Sequence, residues 1–453
     1  MFDRVGGFLN RHKRKLLVTA GLVAGSYFIV DYVKTKFFEL QDRLATERAA
    51  QDNLKRRFEQ NQQDATFTIM ALLPSMSGQI LEKYPVEKIT QELQAKRIEQ
   101  KSGSGVPSTV EGTGSASIMS VSSDTDSKLG DVNEVKTMMS STGSVSGESD
   151  MLVSGTKKSK SRLWRDLKIQ SITRAFTLIY TSALLVFFTR LQLNILGRKN
   201  YVLSVIHLAE KRKARDDESE ITMIPTEDDL EKLALEEDEL RINRMYLTLS
   251  WWLLNKGWAA LAERIETAVT EVFEPVNPRS ELSLLEFSSL VGQVQYKIDN
   301  PVVSSSNINE QPNLFLHNLL PSRELETYVL SQAPSSPGES QDPIVTGPLR
   351  QLIDETADFI ESPGAVDVIQ RLVHSGLTQF INKISTLYPS VPETESKTRL
   401  ASILANVTRQ AQGLSAGTPF DPNEYILVMI NTPELDGFSA LVYSNFNWNN
   451  LEA

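Results

Sequence analysis

The side chains able to do chemistry in this chain are few and scattered. Cysteine is absent, which removes disulfides, thiolate metal ligands and thiol nucleophiles together. The four histidines, His12, His207, His317 and His374, stand far apart, and no two have the spacing of metal ligands. Carboxylates are dense in one place: between Asp216 and Glu239 twelve acidic residues accompany a single basic one, Lys232. That run lacks the glycine and ligand spacing of a calcium loop, so it reads as a solvated loop with a short helix. The nucleotide-binding Gly-x-x-x-x-Gly-Lys-Ser/Thr, the His-Glu-x-x-His of zinc hydrolases and the Gly-x-Ser-x-Gly of serine hydrolases are all missing. The pairs Gly103/Gly105 and Gly112/Gly114 have no helix or lysine at the right offset and read as linker glycines. Asn406-Val407-Thr408 fits the glycosylation pattern but lies in a helical stretch. Nothing here supports catalysis, so the expectation is a protein that is not an enzyme and needs no cofactor or metal.

What remains is recognition. The run Lys157 to Lys168 places Lys160, Trp164 and Lys168 four residues apart, on one face of a helix. A tryptophan framed by lysines suits a partner helix with an apolar stripe and acidic flanks, and tryptophan is the commonest interface hot spot. The other reading is that Trp164 simply begins a core helix, since buried aromatics are the usual case. Both readings stand on the sequence.

The elements that would position these residues are helices. With 453 residues and 40% of them hydrophobic, the chain can bury a sizeable core. Its net charge of -10 argues against a nucleic-acid partner, which would require a basic footprint. Basic residues concentrate instead at the start, where Arg11, Lys13, Arg14 and Lys15 with His12 form a basic segment within residues 1–15. An apolar stretch at 16–33 follows, interrupted by Asp31 and short for a membrane span, which needs about 20 residues. Tyr27 and Tyr32 are placed for the headgroup region, and Gly21 and Gly25 would let another membrane helix approach. A cleaved signal peptide and a buried helix are the rival readings of the same pattern. Basic flanks would place the N-terminus in the cytosol.

Residues 34–453 then read as an all-α domain, an elongated bundle of long helices. Helical patterns are expected at about 37–63, 65–83 and 86–99, the last two separated at Pro85. Between 101 and 160 sixteen serines, six threonines and eight glycines occur without one aromatic residue, a composition of disordered loops. The apolar run Ala175 to Thr189, bracketed by Arg174 and Arg190, is more economically a buried core helix than a second span. A charged loop insertion is expected at 211–240. Helices resume at about 241–272 and 281–298, then at 349–361, 365–388, 397–412, 420–431 and 433–445, with loops at 300–313 and 331–348.

Several blocks, in order, resemble the peroxisomal biogenesis factor three (peroxin three) family, fungal type. They are Phe8-Leu9-Asn10-Arg11-His12-Lys13-Arg14-Lys15, Arg57 to Gln62 with Leu72-Leu73-Pro74, Leu163 to Ile169 with Arg174 and Leu191 to Ile195, Leu282 to Leu285, and Glu361-Ser362-Pro363. The resemblance covers most of the chain. It implies a single-pass protein of the peroxisomal membrane, reached directly or through the endoplasmic reticulum, with 1–15 as targeting segment and 16–33 as transmembrane anchor. It also implies a large C-terminal domain in the cytosol, the reverse of the orientation the basic flank suggests. In that family the domain docks peroxin nineteen, the soluble carrier of peroxisomal membrane proteins, whose amphipathic N-terminal helix lies in an apolar groove. Carried over, Trp164 is the anchor, Lys160 its basic neighbour and Leu93 the groove wall, with Leu163, Leu167 and Lys168 flanking. The 101–160 stretch and the acidic segment depart from the family pattern as insertions. The alternative function is a structural tether linking the peroxisome to other organelles or to autophagy, motor or inheritance factors.

Overall fold

In a computed structural model of the chain, residues 51–102, 159–216, 227–301, 314–332, 345–388 and 396–445 are described. The basic segment 1–15, the expected anchor 16–33 and all but the ends of the serine-rich stretch lie outside these residues. Helix dominates, so the all-α expectation holds.

α1 is helical throughout 51–83, where the sequence reading had two helices. Tyr84-Pro85 ends it, and α2 (Val86–Ser102) starts directly afterwards. α3 (Lys160–Asp216) is 57 residues long. α4 (Glu227–Thr248) leads into α5 (Ser250–Trp252), a π-helical turn at Leu253–Gly257, and α6 (Trp258–Phe273). β1 (Glu281–Ser283) precedes α7 (Leu284–Asp299), and the short helices α8 (Leu316–Leu319) and α9 (Arg323–Leu330) follow. α10 (Gly347–Glu361) and α11 (Pro363–Ser385) come next, then β2 (Lys397–Arg399) and α12 (Leu400–Ser415). α13 (Glu424–Ile430) and α14 (Pro433–Ser444) complete the described chain.

Local chemistry sets many of these boundaries. α10, α11 and α14 each begin with proline at the first or second helical position, where the missing N–H has no helical partner to lose. Asn423 caps α13 by accepting from the amides of Tyr425 and Ile426. Ser283 and Glu286 form a reciprocal capping box at the start of α7.

Three expectations change. The stretch 211–240 is not a loop across its length: α3 runs to Asp216 and α4 begins at Glu227, leaving only 217–226 outside the described residues. Glu, Leu, Ala and Lys, which dominate the sequence of α4, are good helix formers. Second, the helix expected at 241–272 is interrupted by the π turn, which lets Gly257 approach the Asn318 backbone. Third, β1 and β2 pair antiparallel, with Glu281 opposite Arg399 and Ser283 opposite Lys397.

The chain forms two compact units: 51–86 together with everything from Lys168 onward, and the smaller Glu87–Leu167. In the larger unit α3 is the central element. Every residue from Ala175 to Thr189 is buried, including Phe176, Phe187 and Phe188. Lys160–Ala209 is long and apolar enough to cross a membrane, yet its most apolar window is covered by protein, as a core helix would be. Side chains of α1 (Ile69, Leu73, Met76), α6 (Ile265, Val269), α11 (Ile369, Leu372) and α13 (Ile426, Met429) join it in one continuous core. Each such side chain contributes roughly 1.5–3 kcal/mol on burial. Some polar groups on α3 reach partners on distant elements, whereas others, such as the Thr173 and Ser182 hydroxyls, are buried without a hydrogen bond. The Arg198 guanidinium donates to Glu355 at 2.6 Å and to the Val442 carbonyl at 3.1 Å.

Candidate docking surface

The smaller unit contains α2 and the first two turns of α3. On α2, Ile89 and Leu93 lie one turn apart and are both buried, flanked by exposed Lys88 and Glu92. On α3, Leu163 and Leu167 form the equivalent pair, also one turn apart and buried. None of the four belongs to the continuous core of the larger unit.

α3 opens at Ser159, whose hydroxyl accepts from the Arg162 amide at 3.3 Å and whose carbonyl accepts from the Leu163 amide at 3.0 Å. This is an N-cap, and it fixes the direction in which the first turns project. Trp164 follows the buried Leu163 and is only partly covered. Lys160, one turn earlier, is exposed on the same face, Arg162 and Arg165 are exposed on other faces of these turns, and no acidic residue lies in the first turn. Cations at a helix N-terminus oppose the macrodipole, which favours negative charge there. The arrangement therefore has an electrostatic preference for an anionic ligand and offers it a large aromatic surface. Arg162 and Arg165 were not singled out from the sequence. Their signal was the absence of acid in the first turn of a helix that starts after a serine.

Lys168 departs from the expectation of a flanking residue. It is buried, and its ammonium donates to the carbonyls of Phe273 at 2.6 Å, Glu274 at 3.0 Å and Val276 at 2.6 Å. These carbonyls end α6, where a helix leaves acceptors unsatisfied and favours a cation. Lys168 is thus a structural cap, closed to a ligand. The targeting residues Arg11, His12, Lys13, Arg14 and Lys15 lie outside the described residues. Among the described residues no group of three His, Asp or Glu side chains is placed to hold a metal ion.

The family model described as Peroxin-3 matches residues 7–445. The peroxisomal biogenesis factor 3 of Yarrowia lipolytica is 44% identical over 97% of this chain and 99% of its own. The peroxisomal membrane protein PEX3 of Komagataella phaffii is 31% identical over 99% of this chain and all of its own. The human peroxisomal biogenesis factor 3 is 22% identical over 99% and 98% of the two chains. These relatives are named as biogenesis factors and as a peroxisomal membrane protein, and none is named as an enzyme. The match along nearly the whole chain, on an all-helical fold with a buried apolar central helix, shows that this chain belongs to the Peroxin-3 family and serves peroxisome biogenesis.

Proposed function

We propose that the chain is a membrane-anchored docking receptor for peroxin nineteen, the cytosolic carrier that delivers peroxisomal membrane proteins for insertion. The large C-terminal part faces the cytosol and captures the carrier's amphipathic N-terminal helix. The observation that carries this reading is Trp164, left partly exposed on a turn of α3 that presents Lys160, Arg162 and Arg165. A helix with an apolar stripe and acidic flanks answers both the aromatic surface and the charge. Leu93, Leu163 and Leu167 supply the buried apolar support on α2 and α3. Work is done by binding energy, with no covalent step.

Calorimetric titration of the full-length chain in detergent with a peptide of the carrier's N-terminal helix tests the proposal. Saturable binding that weakens as salt rises is expected, because exposed charges contribute. A folded chain that does not bind would overturn it and favour the tether reading.

A further inference from the structure

Within the larger unit, well apart in sequence from Trp164, a cavity of about 770 Å³ opens between the last two turns of α7, the first half of α11 and the α13–α14 junction. Its size is that of a site for a small ligand or a few peptide residues. Its charge is lopsided. Asp299, Asp367 and Glu434 line it with Arg371 and His374, and of the three carboxylates Asp299 is the buried one, which accepts from the Tyr180 hydroxyl. The Arg371 guanidinium is held by the other two carboxylates, with Nε 3.0 Å from Asp367 and Nη1 3.0 Å from Glu434. Both pairs are substantially solvent-exposed, so each is weak and open to exchange. The C-terminal end of α7, a 16-residue helix, also lines the cavity and adds the negative end of its dipole. The opposite partial charge at the start of α14 is met by Glu434 in that helix's own first turn. Tyr296, largely exposed, is also part of the lining and adds an aromatic side chain of the kind that attracts cations.

We propose that this cavity receives a basic side chain, arginine or lysine, carried by a peptide segment of a protein partner. The incoming cation shares Asp367 and Glu434 with Arg371 and lies against Tyr296. Polar side chains such as Asn431 accept or donate to the neighbouring peptide backbone. The cavity shares no residue with the surface proposed for the carrier, so the two can fail independently.

The test uses the full-length chain in detergent micelles and a fluorescein-labelled, capped pentapeptide, Ala-Ala-Arg-Ala-Ala, read by anisotropy. Its neutral analogue has citrulline in place of arginine. The arginine peptide is expected to bind at least tenfold more tightly than the analogue. Two variants locate the site: Asp367→Asn with Glu434→Gln, and Asn431→Arg, which puts a guanidinium at an exposed position of the lining. Each is expected to bring arginine binding down to the citrulline level with helical content unchanged. Should the paired variant unfold, Asn431→Arg decides alone. Equal binding of the two peptides by the wild type would overturn the proposal. So would an arginine preference that survives in the folded variants, since it would then reflect only general attraction to an acidic chain.

Discussion

The Lys168 ammonium lies 2.6 Å from the Phe273 carbonyl, and through it α3 caps the end of α6 from inside the protein. One helical turn earlier, Trp164 is still partly exposed. Within four residues α3 passes from a surface that can meet a partner to a side chain committed to the core. The two positions therefore separate stability from recognition.

Replacing Lys168 tests the first half of that separation. Lys168→Met keeps most of the aliphatic stem and removes the donor from three carbonyls. A charge-assisted hydrogen bond contributes about 1.5–3 kcal/mol, and stranded buried acceptors add to the loss, so a destabilisation of about 3 kcal/mol is expected. Urea denaturation monitored by circular dichroism measures it. Unchanged stability would contradict the capping role.

Gly257 gives a second prediction. A Cβ at this position would meet the Asn318 carbonyl oxygen far inside van der Waals contact, and the Asn318 amide already donates to the Gly257 carbonyl at 2.7 Å. The π turn brings two backbones too close for any side chain. Gly257→Ala is expected to cost about 2 kcal/mol or more, because backbone cannot move aside as a flexible side chain can. A thermal melt within error of wild type would show that the π turn relaxes freely.

Asp299 sets a pH dependence. Burial raises its carboxyl above the usual range, outweighing the hydrogen bonds from Tyr180 and Gln295 and the charge of Arg264, which act the other way. The Tyr180 hydroxyl donates to it at 2.9 Å. A raised value in the folded state means that the native protein binds this proton more readily than the unfolded chain. Its contribution to stability is therefore lowest near neutrality and improves as pH falls through the folded value. Asp299→Asn should raise the melting temperature at neutral pH, and this gain over wild type should shrink as the solution is acidified. A gain that stays constant with pH would contradict the assignment.

How much of this was legible in the sequence depends on what each residue's signal was. Proline marked the starts of α10, α11 and α14, and Pro85 the break before α2, because its ring acts on the backbone locally. The apolar run from Ala175 to Thr189 announced its own burial. The acidic run reads as a solvated loop with only a short helix, whereas α4 is continuous over Glu227–Thr248, as its Leu, Ala and Glu content favours. The β1–β2 pair joins Leu282 to Thr398, a contact between segments more than a hundred residues apart that three-residue strands do not advertise. Trp164 was readable as an aromatic among cations, whereas Lys168 was not readable as a cap. Its helical spacing from Trp164 is a local fact, and its three acceptors come from the end of a helix more than a hundred residues away.

The most direct measurement of the docking account is the affinity of the full-length chain for the carrier's N-terminal helix peptide, with wild type, Trp164→Ala and Lys168→Met side by side. The account predicts that Trp164→Ala keeps its helical content and loses at least ~2 kcal/mol of binding, about thirtyfold. Folded Lys168→Met should bind as wild type does. Undiminished binding by Trp164→Ala, or a loss explained by its unfolding, would contradict the account and return Trp164 to the core.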